Sequence, residues 1–368
     1  MRKIIKGEPV YPVNEEQYIV KIVLSRWSVM NIQTEEVETK SGDDHICTGI
    51  ILTRNIILTA GHCLTGILPH PILQSTQPAE FEVYWFTSVK IYIRDATISE
   101  APFLISLYPE DTPEDAIEDD YGAAISAIHP TFRACVNDFD TDNPIEFMLC
   151  VHNSIDIAVI RFTRLPNSLF ENHMKEHRLC MAGTNNVLNC PDEFIDWSMP
   201  NYDFRTFGYG LVDLPSTFAS DLQAEDPNLA YGNIKHMKML DFKNVHPQLL
   251  ANAFPEWVSE AHKGIFSSPC SGGSTFRGDS GAPLLREHPP TGKWYGVGVI
   301  LEGNMRRCED VCRGDNPPTN PVPMYPHMRG TEHDCQLCRE DMCDVLFVDM
   351  RSCVQWLRHQ MDLAFMHN

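Results

Sequence analysis

Three short strings follow one another in this 368-residue chain: Thr59-Ala60-Gly61-His62-Cys63, then Asp156-Ile157-Ala158-Val159, then Gly278-Asp279-Ser280-Gly281-Ala282-Pro283. They offer an imidazole, a carboxylate and a hydroxyl, the three groups that acyl transfer through a serine needs. A serine hydroxyl is a poor nucleophile until a neighbouring imidazole takes its proton. The imidazole in turn needs a carboxylate to fix its tautomer and stabilise the imidazolium. Asp156 lies in an alternating apolar run, where a buried carboxylate demands a partner. Glycines around Ser280 let the backbone N–H groups of Gly278 and Ser280 approach a substrate carbonyl, and one such oxyanion donor contributes about 3 kcal/mol to the transition state. Taken singly, each string has an ordinary reading: a structural histidine, a strand-end cap, a tight turn.

Positioning these groups falls to short β-branched runs bounded by turn residues: Tyr18 to Leu24, Thr48 to Leu52, Ile56 to Leu58, Phe81 to Phe86, Ile155 to Phe162 and Lys293 to Leu301. That spacing predicts an all-β barrel or sandwich. One segment, Ser352 to Met366, reads clearly as a helix, with Val354, Leu357, Met361 and Phe365 on one side. The acidic stretch 109–120 and the Asp, Pro and Ser-rich stretch 214–228 read as solvated surface loops.

Composition narrows the class. Apolar residues make up 43% of the chain and charged residues 21%, ordinary globular usage that argues against disorder or a coiled coil. The net charge of −21 repels phosphate backbones and anionic lipid, so neither nucleic acid nor membrane is an expected partner. No apolar run approaches the ~18 residues of a membrane span, which predicts a soluble protein. Thirteen scattered cysteines read as disulfides of an oxidising compartment, and the odd count leaves at least one thiol free, ligating or intermolecular. The expected location is extracellular, although Met1-Arg2-Lys3-Ile4-Ile5-Lys6 turns polar at once and carries no signal segment. A cytosolic protein is the alternative. No Asn-x-Ser/Thr acceptor occurs to arbitrate.

The three strings, in this order and with these flanks, resemble the chymotrypsin/trypsin family of serine peptidases. The likeness extends to Cys47 and Cys63, sixteen residues apart, similar to the disulfide that clamps the family's histidine loop. It continues in Thr206-Phe207-Gly208-Tyr209-Gly210, Phe347-Val348-Asp349 and Val354-Gln355-Trp356-Leu357. The resemblance implies two six-stranded antiparallel β-barrels of chymotrypsin-like type with a C-terminal helix. Their expected bounds are 4–165 for the first barrel, 166–351 for the second and 352–368 for the helix. It implies an endopeptidase that needs no cofactor or metal, with catalytic His62, Asp156 and Ser280 and an oxyanion hole from Gly278 and Ser280. Protein or peptide substrates, an activating peptidase and a proteinaceous inhibitor are the implied partners. Family members are cut before a sequence like Ile-Ile-x-Gly, which implies activation after Lys3 and pairing of the new Ile4 ammonium with Asp279. Lys6 departs from the glycine usual at the third position.

Specificity fits the family pattern less well. Ser274 resembles the base of the primary pocket, where an aspartate would select Lys or Arg, so basic selectivity is not expected. Leu301, Glu302 and Gly303 occupy a stretch that usually reads Ser-Trp-Gly, and Val345 lies near a usual pocket glycine, which narrows the slot toward small or medium apolar side chains. Glu302 could instead meet a basic residue. Phe276 stands where a cysteine is expected, with Cys270 to Cys308 as one replacement bridge. The insertion 308–343 carries Cys335 and Cys338 at zinc-like spacing, but disulfides are favoured there. Ala282 replaces a usual glycine and is expected to tune activity only. The rival reading is a catalytically weak or inactive homologue acting as a binding or regulatory module.

Overall fold

The structure is a computed structural model that describes residues 8–9, 16–32, 34–68, 82–94, 101–117, 122–138, 150–151, 153–199, 201–210, 237–249, 263–269, 274–275, 278–306 and 342–366. Lys3, Ile4, Cys270, Phe276, Cys308, the stretch 214–228 and most of 308–343 lie outside these residues.

Long β-branched runs build the first sheet: β2 (Ile19–Asn31), β3 (Val37–Thr53), β4 (Ile56–Thr59), β5 (Thr65–Leu68), β6 (Glu82–Tyr92), β7 (Phe103–Pro109), β8 (Ala123–Ile128) and β9 (Ala158–Arg164). Their order is β2-β3-β4-β9-β8-β7-β6-β5, and a further β2–β6 pairing closes seven of them into a ring with β5 outside. By register Ile22, Ile57, Val89, Ile91, Ile105 and Ile160 share the ring's inner face, and none has exposed surface. Burying each such side chain contributes roughly 1.5–3 kcal/mol. The ring therefore has seven strands where six antiparallel ones were expected, and β7 pairs with β8 in parallel. Parallel neighbours require a crossover of about a dozen residues. The acidic stretch after Pro109 supplies that crossover, and Asp111, Pro113, Asp115 and Ala116 in it are exposed, as expected of a surface loop. Its Glu110 accepts a hydrogen bond from Gln360 of the C-terminal helix at 2.9 Å.

The second sheet runs β1 (Glu8–Pro9), β11 (Lys238–Val245), β10 (Tyr202–Gly208), β14 (Pro283–His288), β15 (Lys293–Arg306), β16 (Met342–Asp349), β13 (Lys263–Pro269) and β12 (Gln248–Leu249). Among the described residues no hydrogen-bonded pair joins its two ends; the chain itself passes from β11 to β12 through residues 246–247. It forms a half-barrel beside the closed ring, consistent with a chymotrypsin-like double barrel.

Among the described residues, three α-helices with defined bounds accompany the sheets. α1 (Pro130–Asn137) starts at a proline after His129. Burial pushes the His129 imidazole down to about 4, so it is neutral and can accept the Thr131 N–H. α2 (Ser168–Glu176) is capped by Asn167, whose Oδ1 accepts from Phe170 N at 2.9 Å. α3 (Met350–Met366) begins two residues before the expected helix and buries Cys353, Leu357, Met361 and Ala364. Disulfides join Cys47 to Cys63, Cys135 to Cys150 and Cys180 to Cys190, and Cys343 is also disulfide-bonded. Cys353 is a free, buried thiol.

Candidate active site

His62 sits in a single 3-10 turn, Gly61–Cys63, directly after β4. Asp156 lies two residues before β9, which pairs with β4 through Thr59 and Ala158. The register brings the two side chains together. Asp156 Oδ2 lies 2.7 Å from His62 Nδ1, and Asp156 Oδ1 accepts the His62 backbone N–H at 2.8 Å. The approach depends on Gly61, where a Cβ would come within 2.8 Å of Asp156 Oδ1. The Tyr84 hydroxyl donates to His62 O at 2.9 Å, fixing the turn from β6. α1 secures the other partner: Thr131 Oγ1 accepts from Ile155 N at 2.9 Å, and Cys135–Cys150 ties the helix to the segment before Asp156.

This pairing sets the charge states. Burial alone would lower the His62 pKa, but the charge and hydrogen bond of Asp156 overcome it and hold the imidazole above its ordinary 6.5. Burial alone would raise the Asp156 carboxyl, but His62 and then the Lys263 ammonium hold it below its ordinary 3.8. Asp156 is nearly buried, while the His62 side chain keeps 35% of its surface exposed. The exposed part of the ring is available to a reacting group.

Ser280 lies in the turn before β14, a turn fixed by its carbonyls. Gly278 O accepts from Thr48 Oγ1 at 2.9 Å, Asp279 O from Ala282 N at 2.9 Å, and Ser280 O from Thr48 N at 2.8 Å. Gly278 and Gly281 adopt φ of +98° and +87°, which this tight reversal requires of them. Among the described residues no acceptor is bonded to the N–H of Gly278 or Ser280. The Ser280 hydroxyl donates to Leu301 O at 2.8 Å. Ser280, Gly278 and His62 line one hollow, walled by Trp27, His45, Tyr84 and Phe86. Trp27 and Phe86 are 5.8 Å apart between ring centroids, and Tyr84 and Phe86 are 5.6 Å apart.

Asp279 points the other way, into the second sheet, and is 1% exposed. Its Oδ1 accepts from Gly210 N at 2.8 Å, and a Cβ at Gly208 or Gly210 would collide with the carboxylate. β1 pairs with β11 at Glu8–Met239 and Pro9–Lys238, and Lys238 in turn pairs with Gly208. The described start of the chain thus runs along the sheet edge that seats Asp279.

Of the residues expected to set specificity, Ser274, Leu301 and Val345 are buried, and Glu302 and Gly303 are partly exposed. β15 and β16 align Gly303 with Val345. A Cβ at Gly303 would lie 1.8 Å from Thr275 O, so the segment 274–275 packs directly on the Gly303 backbone.

Thr48, Tyr84 and Lys263 have no role at the site in the sequence analysis. Thr48 gave one faint signal, a hydroxyl at the head of the apolar run Thr48-Gly49-Ile50-Ile51-Leu52. Its Oγ1 also accepts from Tyr209 N at 3.2 Å, so it bridges the two barrels.

The Trypsin family model matches residues 21–101, a stretch that contains His62 and the Cys47–Cys63 disulfide. No curated protein matches the chain.

Proposed function

We propose that this chain, which the Trypsin match and the double-barrel fold support as a chymotrypsin/trypsin-like serine peptidase, is an endopeptidase acting through Ser280, His62 and Asp156. The reading is carried by one observation: a His62 ring bonded to Asp156 at 2.7 Å faces a hollow that Ser280 also lines. In the proposed reaction the Ser280 hydroxyl leaves Leu301 O and turns to His62 Nε2. Its oxygen attacks the substrate carbonyl as the imidazole takes the proton. The N–H groups of Gly278 and Ser280 hold the oxyanion, and the imidazolium, steadied by Asp156, protonates the leaving amine. Water then attacks the acyl-enzyme, with His62 again as base.

Ser274 leaves the pocket without an anionic floor, and the contact of Thr275 with Gly303 favours compact apolar side chains over Lys or Arg. Activation is assigned to cleavage after Lys3, the new Ile4 ammonium pairing with Asp279 in its seat between Gly208 and Gly210. A trypsin-like domain with three disulfides suggests an extracellular protein, and no helix among the described residues is long and apolar enough to cross a membrane. Substrates would be proteins or peptides; an activating peptidase and a proteinaceous inhibitor are the further partners proposed. The same contact of Thr275 with Gly303, with the Ser280 hydroxyl held on Leu301 O, favours a second reading: a slow or inactive homologue that binds partners. Incubation with a diverse peptide mixture separates the two. Cleavage that disappears in Ser280→Ala supports the peptidase, and identical products with and without Ser280 would reject it.

A further inference from the structure

Asp156 receives two hydrogen bonds among the described residues, and both come from His62. A buried carboxylate so placed calls for a compensating positive charge whenever the imidazole is neutral. Lys263, the first residue of β13, is 3% exposed and donates from Nζ to Val151 O at 2.7 Å. Val151 lies five residues before Asp156 and next to Cys150, which the Cys135 disulfide fastens to α1. An ammonium from the second sheet is thus held against the segment of the first that delivers Asp156. Its charge acts on Asp156, Glu302 and His62.

We propose that Lys263 is a positioning residue of the active site, a counter-charge that lets Asp156 stay ionised beside a neutral His62 while its bond to Val151 ties the two barrels together. This rests on the peptidase reading and adds to it. Among the described residues, the charged and titratable groups that act on the imidazole or share its hollow are Asp156, Glu302 from β15, Lys263 from β13, the Tyr84 phenol from β6 and His45 from β3. Burial pushes that phenol up, so it stays neutral. With His62 neutral, the Lys263 ammonium offsets the charge of Asp156, so the proton taken from Ser280 enters a weaker negative field. Without the Lys263 charge the imidazole beside Asp156 and Glu302 would bind its proton more tightly. It would then be a poorer free base near neutral pH. Burial lowers Lys263 to about 8, so the counter-charge is present through neutral pH.

The test is the titration of the His62 ring followed by NMR, beside the pH profile of kcat/KM, in wild type, Lys263→Gln, Lys263→Met and Lys263→Arg. The Gln and Met variants are expected to raise the His62 titration and the acid limb together, by on the order of one pH unit. The Arg variant is expected to keep the wild-type values. Because Gln retains a donor for Val151 O, its shift reads the charge apart from the tether. A His62 titration unmoved in Lys263→Gln would overturn the proposal. Failure of the peptidase reading looks different: the titration shifts, yet wild type neither cleaves peptides nor reacts at Ser280.

Discussion

His62 and Asp156 belong to a ring whose seven strands are hydrogen-bonded all the way round, whereas Ser280, Ser274 and Leu301 to Gly303 belong to a sheet that no strand pair closes among the described residues. The two regions hold their functional groups differently. The ring fixes His62 from several directions, through Asp156, Tyr84 and the Cys47–Cys63 disulfide. The Ser280 turn instead borrows its order from the ring, since Thr48 holds the carbonyls of both Gly278 and Ser280. The His62–Asp156 pair is thus built within one barrel, and the Ser280 turn is held across the interface. The pocket residues that differ from the expected pattern, Leu301, Glu302 and Val345, lie in the second sheet, and through the charge of Glu302 they still reach His62.

The comparison breaks at its strongest point if the nucleophile is dispensable. Ser280→Ala is expected to lower kcat by about a million-fold with little change in Tm. Turnover that survives the substitution would remove the second barrel from the chemistry. Next comes Asp156→Asn, expected to cost about ten-thousand-fold in kcat by leaving His62 in the wrong tautomer.

The pair also predicts a pH dependence. The His62 folded pKa is raised, so its contribution to stability is complete below 6.5 and is lost as pH rises through the raised value. That of Asp156 is depressed, so its contribution is present above 3.8 and is lost as pH falls through the lowered value. Thermal melts of wild type and Asp156→Asn should therefore diverge most between these limits, and kcat/KM should rise along a limb above pH 6.5. Equal melting differences at every pH would contradict the assignment.

Lys263 sharpens the contrast between barrels, because its folded pKa of about 8 lies below the ordinary 10.5. Between those values the unfolded chain keeps a proton that the folded one has lost, so stability rises with pH there, by up to roughly 3 kcal/mol. Denaturant melts of wild type against Lys263→Met across this window should show the rise in wild type alone. The smallest effect concerns the borrowed order of the turn. Thr48→Val leaves Gly278 O and Tyr209 N without their partner and is expected to lower kcat about ten- to a hundred-fold, at ~1–3 kcal/mol per unpaired group. Thr48→Ser, which keeps the hydroxyl, is expected to stay near wild type. Equal kcat for the Val and Ser variants would show that the turn holds itself.

These effects divide along what the sequence could reveal. His62, Asp156 and Ser280 were legible because each sits in a string whose own residues carry its chemistry: Gly61 beside the imidazole, an apolar run around Asp156, glycines around Ser280. Thr48 was hidden because its role depends on a partner 230 residues away. Lys263 was hidden for the same reason, reaching Val151 across 112 residues. β7 was overlooked because its parallel pairing with β8 leaves no hairpin turn to mark it, only the exposed acidic stretch between them. The seventh strand of the ring followed from that. The double barrel and the C-terminal helix were legible from spacing and resemblance, while α1 and α2 were missed, two helices of eight and nine residues that cover a single turn or two of apolar periodicity.

The most direct test of the central claim is labelling with a fluorophosphonate, which reacts with an activated serine, before and after limited cleavage at Lys3 and with Ser280→Ala as control. The account predicts strong labelling of the cleaved chain, little of the uncut chain and none of the variant. A folded, cleaved protein that takes no label would contradict an activated Ser280 and leave partner binding as the function of the fold.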